Sequence, residues 1–161
     1  MGDEKMLDTP QIIETSAQPA AVIRLTIPRP EIQQAMGPAI GELMATLAAQ
    51  GQRPAGAIFS HHFKMDPATF DFEVGVPVAS ALTETGRVKM SELPATTVAR
   101  TVYTGPYEGL GAAWGEFNAM LAEAGHLPAA NLWECYVMGP ETGPDSSKYR
   151  TELNRPLVPQ A

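Results

Sequence analysis

One stretch of this chain occurs twice. Gly41 to Pro54 (GELMATLAAQGQRP) aligns without gaps on Gly115 to Pro128 (GEFNAMLAEAGHLP), and seven of the fourteen positions are identical. The register extends outward in both directions: Val22, Ile23 and Arg24 against Val98, Ala99 and Arg100, and Ala57, Ile58 and Phe59 against Asn131, Leu132 and Trp133. After five extra residues in the second copy, Asp71 to Val74 meets Arg150 to Leu153. Self-similarity at this scale signals a tandem duplication, so the chain is expected to fold as two like units. Their spans are about 10–79 and 86–158, within one domain covering 1–161.

Each copy reads as ββαββ. Two alternating, β-branched stretches open it: Gln11 to Thr15 and Ala21 to Ile27, then Arg87 to Leu93 and Thr96 to Tyr103, with Pro19 and Pro94 in the joining turns. A helix follows, because Ile40, Leu43 and Leu47, and likewise Leu110, Trp114, Phe117 and Leu121, recur at three- and four-residue steps that form one apolar stripe. Gly51 and Gly125 stand where a left-handed C-cap is expected. Pro106 suits a helix start, and Pro38 argues that the first helix begins near it rather than at Glu31. The strands Ala57 to Lys64, Phe70 to Pro77, Asn131 to Met138 and Tyr149 to Leu157 close the units, separated by loops at Met65 to Thr69 and Gly139 to Lys148. The fold class is α+β: an antiparallel sheet with two main helices. Two helices cover little of eight strands, so the copies are expected to pair and leave a ligand cleft on a pseudo-twofold axis.

With 44% apolar residues and 7% aromatics, the chain has enough for a core. Eleven Lys and Arg against eighteen Asp and Glu leave a net charge of −7, which opposes direct binding to a nucleic-acid backbone. The first residues lack the basic flank and apolar run of a secretion signal, and no 18-residue apolar run is present, so a cytoplasmic protein without membrane contact is expected. One cysteine, Cys135, agrees with a reducing compartment.

Along Leu132 to Met138, period two puts Leu132, Glu134, Tyr136 and Met138 on one face and Trp133, Cys135 and Val137 on the other, which reads as core. Glu134 is thus an acid among apolar and aromatic neighbours, where desolvation is costly unless something compensates its charge. A ligand is one compensation; pairing with Arg100 or Arg150, or exposure on an uncovered sheet face, is the other. Its repeat mate is Ser60, so the two copies differ chemically at this point. Tyr107 stands before the second helix and can wall a cleft, whereas its mate Glu31 is not aromatic. Trp114 lies on the helix stripe, where packing is the ordinary role. Tyr149 reaches toward the cleft or shields the loop before it. His62 shares the parity of Ser60 and lines the cleft or meets solvent. Adjacent His61 and His62 point to opposite faces and cannot chelate one metal, and no phosphate loop, dinucleotide fingerprint or nucleophile elbow occurs. No metal or cofactor is expected, and a core-facing Cys135 is expected to be inert.

The runs DFEVGVP (71–77), GPYE (105–108), WECY (133–136) and YRTELNRPL (149–157), in that order and spacing, resemble the GyrI-like small-molecule-binding family, also called the AraC-type effector-binding domain. The resemblance spans about Pro10 to Pro159. It implies a pseudo-symmetric pair of ββαββ units whose central groove takes apolar, often cationic, compounds, with Glu134 as its acid in a Glu-x-Tyr pattern with Tyr136, and Tyr107 as a groove ring. Phe59 and Phe63 stand for the aromatic side chains of the first half. Multidrug regulators fuse this domain to a DNA-binding segment, for which about ten residues before the first strand leave no room. Stand-alone relatives include gyrase modulators and hydrolases of strained cyclopropanes, and SOUL-type haem proteins share the architecture.

Three functions follow. A binding module senses or sequesters an apolar cation or electrophile. An enzyme in the same groove uses Glu134 as general base or water-orienting group, with Tyr136 or Tyr107 as proton donor. A haem or protein partner is the third, with His62 on the iron.

Overall fold

The computed structural model describes residues 7–65, 68–139, 143 and 145–158. Parts of both expected loops, at 66–67 and 140–142 with 144, and the chain ends read for a signal and a domain limit lie outside the described residues. In chain order the elements are β1 (Gln11–Glu14), β2 (Gln18–Pro28), α1 (Ile32–Ala49), β3 (Phe59–Met65), β4 (Thr69–Pro77), β5 (Lys89–Leu93), β6 (Thr97–Thr104), α2 (Leu110–Glu123), β7 (Leu132–Met138) and β8 (Arg150–Pro156). The strands form one sheet in the order β1-β6-β8-β7-β3-β4-β2-β5, antiparallel throughout.

That order has a symmetry. With the strands of each half numbered one to four, the sheet runs first, second, fourth, third and then third, fourth, second, first, with the two first strands exchanged between halves. This arrangement is compatible with a duplicated ββαββ unit. Short segments join the first two strands of each half as expected, with Pro94 in the second, but the strands they join do not pair. Pro19 lies inside β2, and β1 pairs with β6 while β5 pairs with β2. A three-residue hairpin loop needs a residue at positive φ, usually glycine. Thr15-Ser16-Ala17 and Pro94-Ala95-Thr96 contain none, and no described non-glycine residue has positive φ. The connectors run on and bond to each other instead: the Thr15 amide donates to the Thr96 carbonyl (2.8 Å) and its hydroxyl to the Pro94 carbonyl (2.8 Å).

The helix stripes form as expected. Ala39, Leu43 and Leu47 of α1 are buried, as are Ala113, Phe117 and Leu121 of α2, at identical spacing. Gly51 and Gly125 take φ of 71° and 82° after the helix ends, and Gln52 and His126 donate back to Leu47 and Leu121. The start of α1 differs. The helix begins at Ile32 and carries Pro38 within it. A proline inside a helix costs about 3 kcal/mol, and here Ile32, Ala35 and Met36 pack against the first core, so burial offsets it.

Both helices lie on one face of the sheet. There α1 covers Ile23, Leu25, Phe72, Val74 and Val76, while α2 covers Ala99, Tyr103 and Leu153. Ala20, Val22, Phe59, Leu93, Val98 and Trp133 make a third cluster on the opposite face, without a helix, because strands from both halves curl toward one another. Gly75 permits this approach: a Cβ there would sit 2.7 Å from both Phe59 and Val22. Trp133 and Cys135 belong to this side as expected, but Val137 is 49% exposed. The register of β7 shifts between Tyr136 and Met138, so Val137 is the bulged residue. Phe63 occupies the corresponding shift in β3. No described helix is long and apolar enough to cross a membrane.

Candidate functional site

Strands β3 and β7 meet at the centre of the sheet, between the territories of α1 and α2. Ser60, the mate of Glu134 in the sequence repeat, is also its direct register partner, as a pseudo-twofold relation between the halves requires. Both side chains point to the helix-bearing face, the parity that also carries His62, Leu132 and Tyr136.

Glu134 is 8% exposed and forms no ion pair among the described residues. The Trp114 indole N–H donates to Oε2 (2.6 Å) and the Tyr136 hydroxyl to Oε1 (2.8 Å). Both donors are neutral. Burial therefore raises the carboxyl above its ordinary range, and the bonds from Trp114, Tyr136 and Ser60 only partly oppose this. The Tyr136 phenol rises well above its ordinary value for the same reason, reinforced by the adjacent Glu134. The arginine alternatives fail on geometry. Arg100 lies on the other face and bonds Asn154 (2.6 Å) and Glu152 (3.3 Å), and Arg150 is exposed at the start of β8.

The network continues into the first half. Tyr136 and Ser60 oxygens are 2.7 Å apart, and Ser60 lies 3.2 Å from His62 Nε2. The His62 ring stacks on Phe72 (4.8 Å) and meets the edge of Phe70 (5.3 Å). His62 is buried rather than in solvent, and burial lowers it to about 4, so it is neutral at pH 7. Its Nε2 is turned to Ser60 and one ring face to Phe72. Among the described residues no group of three or more His, Cys, Asp or Glu side chains is placed to hold a metal.

Tyr107 is set by the loop before α2. The Tyr103 hydroxyl donates to the Pro106 carbonyl (2.8 Å) from beneath this loop. A Cβ at Gly109 would overlap that hydroxyl and one at Gly105 would come within 2.8 Å of it. The two glycines therefore let a short 3-10 turn (Tyr107–Gly109) sit directly on Tyr103, and the Tyr107 ring falls against Tyr136 (5.8 Å) and Tyr149 (5.1 Å). Tyr149 is held by its carbonyl, which accepts from the Gly105 amide (2.9 Å). Trp114 combines both expected roles, with its ring on Phe117 (5.8 Å) and its N–H on Glu134.

All six residues singled out in the sequence, Glu134, Tyr136, Tyr107, Trp114, Tyr149 and His62, are thus linked by hydrogen bonds or ring contacts. The first-half aromatics differ from expectation. Phe59 belongs to the opposite-face cluster and Phe63 sits at the β3 bulge under Arg24, so Phe70 and Phe72 take their place. The β3–β4 register, which pairs Phe72 with His62, brings them there. Two clefts of about 270 and 280 Å³ lie elsewhere, one on the opposite face around Trp133 and Arg100, the other around Ile12 and Leu127. Cys135 lines the first, its thiol pushed up to about 12 by burial.

A buried acid amid aromatic rings, between two helices on one antiparallel sheet, marks an α+β domain of the small-molecule-binding class. Residues 8–157 match the family described as the GyrI-like small molecule binding domain, and the chain belongs to that family. Among curated proteins none matches significantly. Solved structures of the same fold include the EcmrR C-terminal domain (TM-score 0.81, 20% identity, 94% of this chain and 98% of that one). EcmrR also appears in a complex with DNA (TM-score 0.83, 19% identity, 96% of this chain), where this chain spans only 59% of its length. SAV2435 bound to tetraphenylphosphonium (TM-score 0.69, 14% identity, 94% of each chain) and a hydrolase from Listeria innocua (TM-score 0.64, 13% identity, 92% of this chain and 91% of that one) share the fold as well.

Proposed function

We propose that the groove over Ser60 and Glu134 binds an apolar organic cation, for sensing or sequestration. One observation carries this reading: a buried carboxylate contacted only by neutral donors, with the rings of Tyr107, Tyr136 and Trp114 beside it. An organic cation compensates the charge without a hydration shell to shed, and ring faces attract it further. That SAV2435 binds tetraphenylphosphonium on the same fold supports the choice of probe. Titration with tetraphenylphosphonium or a rhodamine dye tests it. Micromolar affinity is expected, and Glu134→Gln is expected to weaken it about tenfold or more, as for roughly 1.5–3 kcal/mol of charge-assisted interaction. A neutral ligand of similar size should lose far less. Equal affinity of wild type and variant for the cation rejects the assignment.

The Tyr136–Glu134 contact at 2.8 Å favours one second reading, hydrolysis of a strained cyclopropane electrophile, in which Glu134 orients water and Tyr136 supplies a proton. Product release by wild type that falls in Tyr136→Phe supports it; protection of the electrophile without product supports sequestration.

A further inference from the structure

His62, Ser60, Tyr136 and Glu134 form an unbroken hydrogen-bonded row from the first half of the sheet across the axis to the second, with separations of 3.2, 2.7 and 2.8 Å. At its far end His62 Nδ1 is a buried nitrogen with no hydrogen-bond partner among the described residues. A buried polar atom left bare costs free energy, so its presence calls for an explanation.

Counting protons gives one. With Glu134 ionised, Tyr136 spends its only proton on Oε1. The Ser60 hydroxyl gives its one proton to Tyr136 or to Glu134, and in either case Ser60 must accept from His62 Nε2–H. This assigns the tautomer by the network: Nε2 carries the hydrogen and Nδ1 is a bare lone pair. With Glu134 protonated, every bond reverses. Glu134 donates to Tyr136, Tyr136 to Ser60, and Ser60 to Nε2, while the hydrogen of His62 sits on Nδ1. The two states differ by one proton. It enters or leaves at Nδ1, and three one-place shifts along the row complete the transfer. The bare nitrogen is the port.

We propose that the groove takes up its cation in exchange for a proton, and that Tyr136, Ser60 and His62 conduct that proton between Glu134 and the His62 end of the row, in the first half of the same sheet face. The exchange rests on the cation-binding function above. A cation seated on Glu134 blocks the groove side, and the two nitrogens of an imidazole diverge, so Nδ1 faces away from Ser60 and the axis. Surrounding groups suit transit rather than storage. His61 from the same strand and Arg29 from the segment before α1 both disfavour a lasting positive charge on His62. Glu134 is faced by neutral Trp114 from α2, Ser60 from β3 and Tyr136 from β7, by Leu153 from β8, and through Tyr136 by Tyr107, so no cation on these elements keeps it ionised when the groove is empty.

The test uses tetraphenylphosphonium on the whole chain. Calorimetric titration in phosphate and in bis-tris, which both buffer at mildly acid pH and differ in ionisation enthalpy, should show close to one proton released per cation there and less as pH rises. Stopped flow with a pH indicator at saturating cation should show that release slowed at least tenfold in Ser60→Ala and in His62→Phe, whose ring keeps the stacking on Phe72, the rate being read against each variant's own total of protons released. Identical heats in both buffers with the cation bound overturn the exchange. Release at the wild-type rate in both variants overturns the path. A wild type that binds no cation at all overturns the function on which the exchange rests, and the exchange with it.

Discussion

Ser60 and Glu134 stand opposite each other in the β3–β7 ladder and are also equivalent positions of the sequence repeat. A pseudo-twofold axis brings like positions together only on the axis itself, so a residue there faces its own counterpart. Two carboxylates at this point would confront each other at register distance, about 4.5–5.5 Å between Cβ atoms. The hydroxyl in one copy and the acid in the other avoid that and leave one charge site at the centre.

Ser60→Glu should therefore cost stability, because two buried carboxyls in contact cannot both ionise and the second is driven to stay protonated. Each has a folded pKa above its unfolded value, so the penalty should be smallest in acid and grow as pH rises. Thermal melts of the variant at pH 5 and pH 8 check this. A deficit independent of pH would mean that the new side chain escapes the axis.

The same sign governs wild type. Glu134 holds its proton more tightly folded than unfolded. Its contribution is most favourable below the unfolded carboxyl range and is lost as pH rises through the raised folded value. Glu134→Gln removes this term, so the variant should equal wild type or exceed it in melting temperature at pH 8, and the gap should close toward pH 4.5. His61 and His62, both lowered to about 4, act oppositely between about 6.5 and 4 in both proteins and cancel in the comparison. A variant that melts well below wild type at pH 8 would show that the carboxylate is structurally required.

Gly109→Ala places a methyl on the Tyr103 hydroxyl, with rigid backbone on one side and a buried ring on the other. Overpacking of this kind costs about 1–3 kcal/mol. The loop must lift, and Tyr107 with it, so dye affinity should fall as well. Tyr103→Phe relieves the overlap and loses one hydrogen bond. Partial rescue of Gly109→Ala by Tyr103→Phe, read as melting temperature and dye affinity together, is the expected outcome; independent, additive losses would separate the loop from the groove.

Phe117 and Leu43 fill corresponding places under the two helices, at 0% and 1% exposure. Truncation to alanine should cost about 3–5 kcal/mol for Phe117 and about 2–5 for Leu43. Chemical denaturation of each variant measures this, and a near-neutral result at either position would contradict the burial described for its helix.

Much of this was legible in the sequence because its signals are periodic. Leu43, Leu47, Phe117 and Leu121 recur at helical steps, and the parity of β7 places Glu134 and Tyr136 together whatever the sheet does elsewhere. What escaped depended on relations between distant segments. The exchange of β1 and β5 follows from connectors that lack a positive-φ residue, and Pro19 looked like a turn until the partner of β2 was known. The α1 start was misplaced because proline propensity is local, while the burial of Ile32 and Met36 that overrides it is tertiary. Phe59 and Phe63 rest on the family resemblance alone, and Phe59 has the parity opposite to Ser60; Phe70 and Phe72 face His62 only through the β3–β4 register, which the sequence does not display.

The crossed first strands have a consequence for synthesis. Until β5 is made, β2 (QPAAVIRLTIP) has β4 on one side and nothing on the other, so the nascent first half presents an apolar open edge. β1 in turn waits for β6, across most of the first half of the chain. Contacts so far apart in sequence close slowly. The first half cannot complete its sheet until translation has passed β5 and β6 of the second, and a chain that stalls before then offers its unpaired edge to any other nascent copy, which makes mutual strand exchange between chains the expected misfolding route.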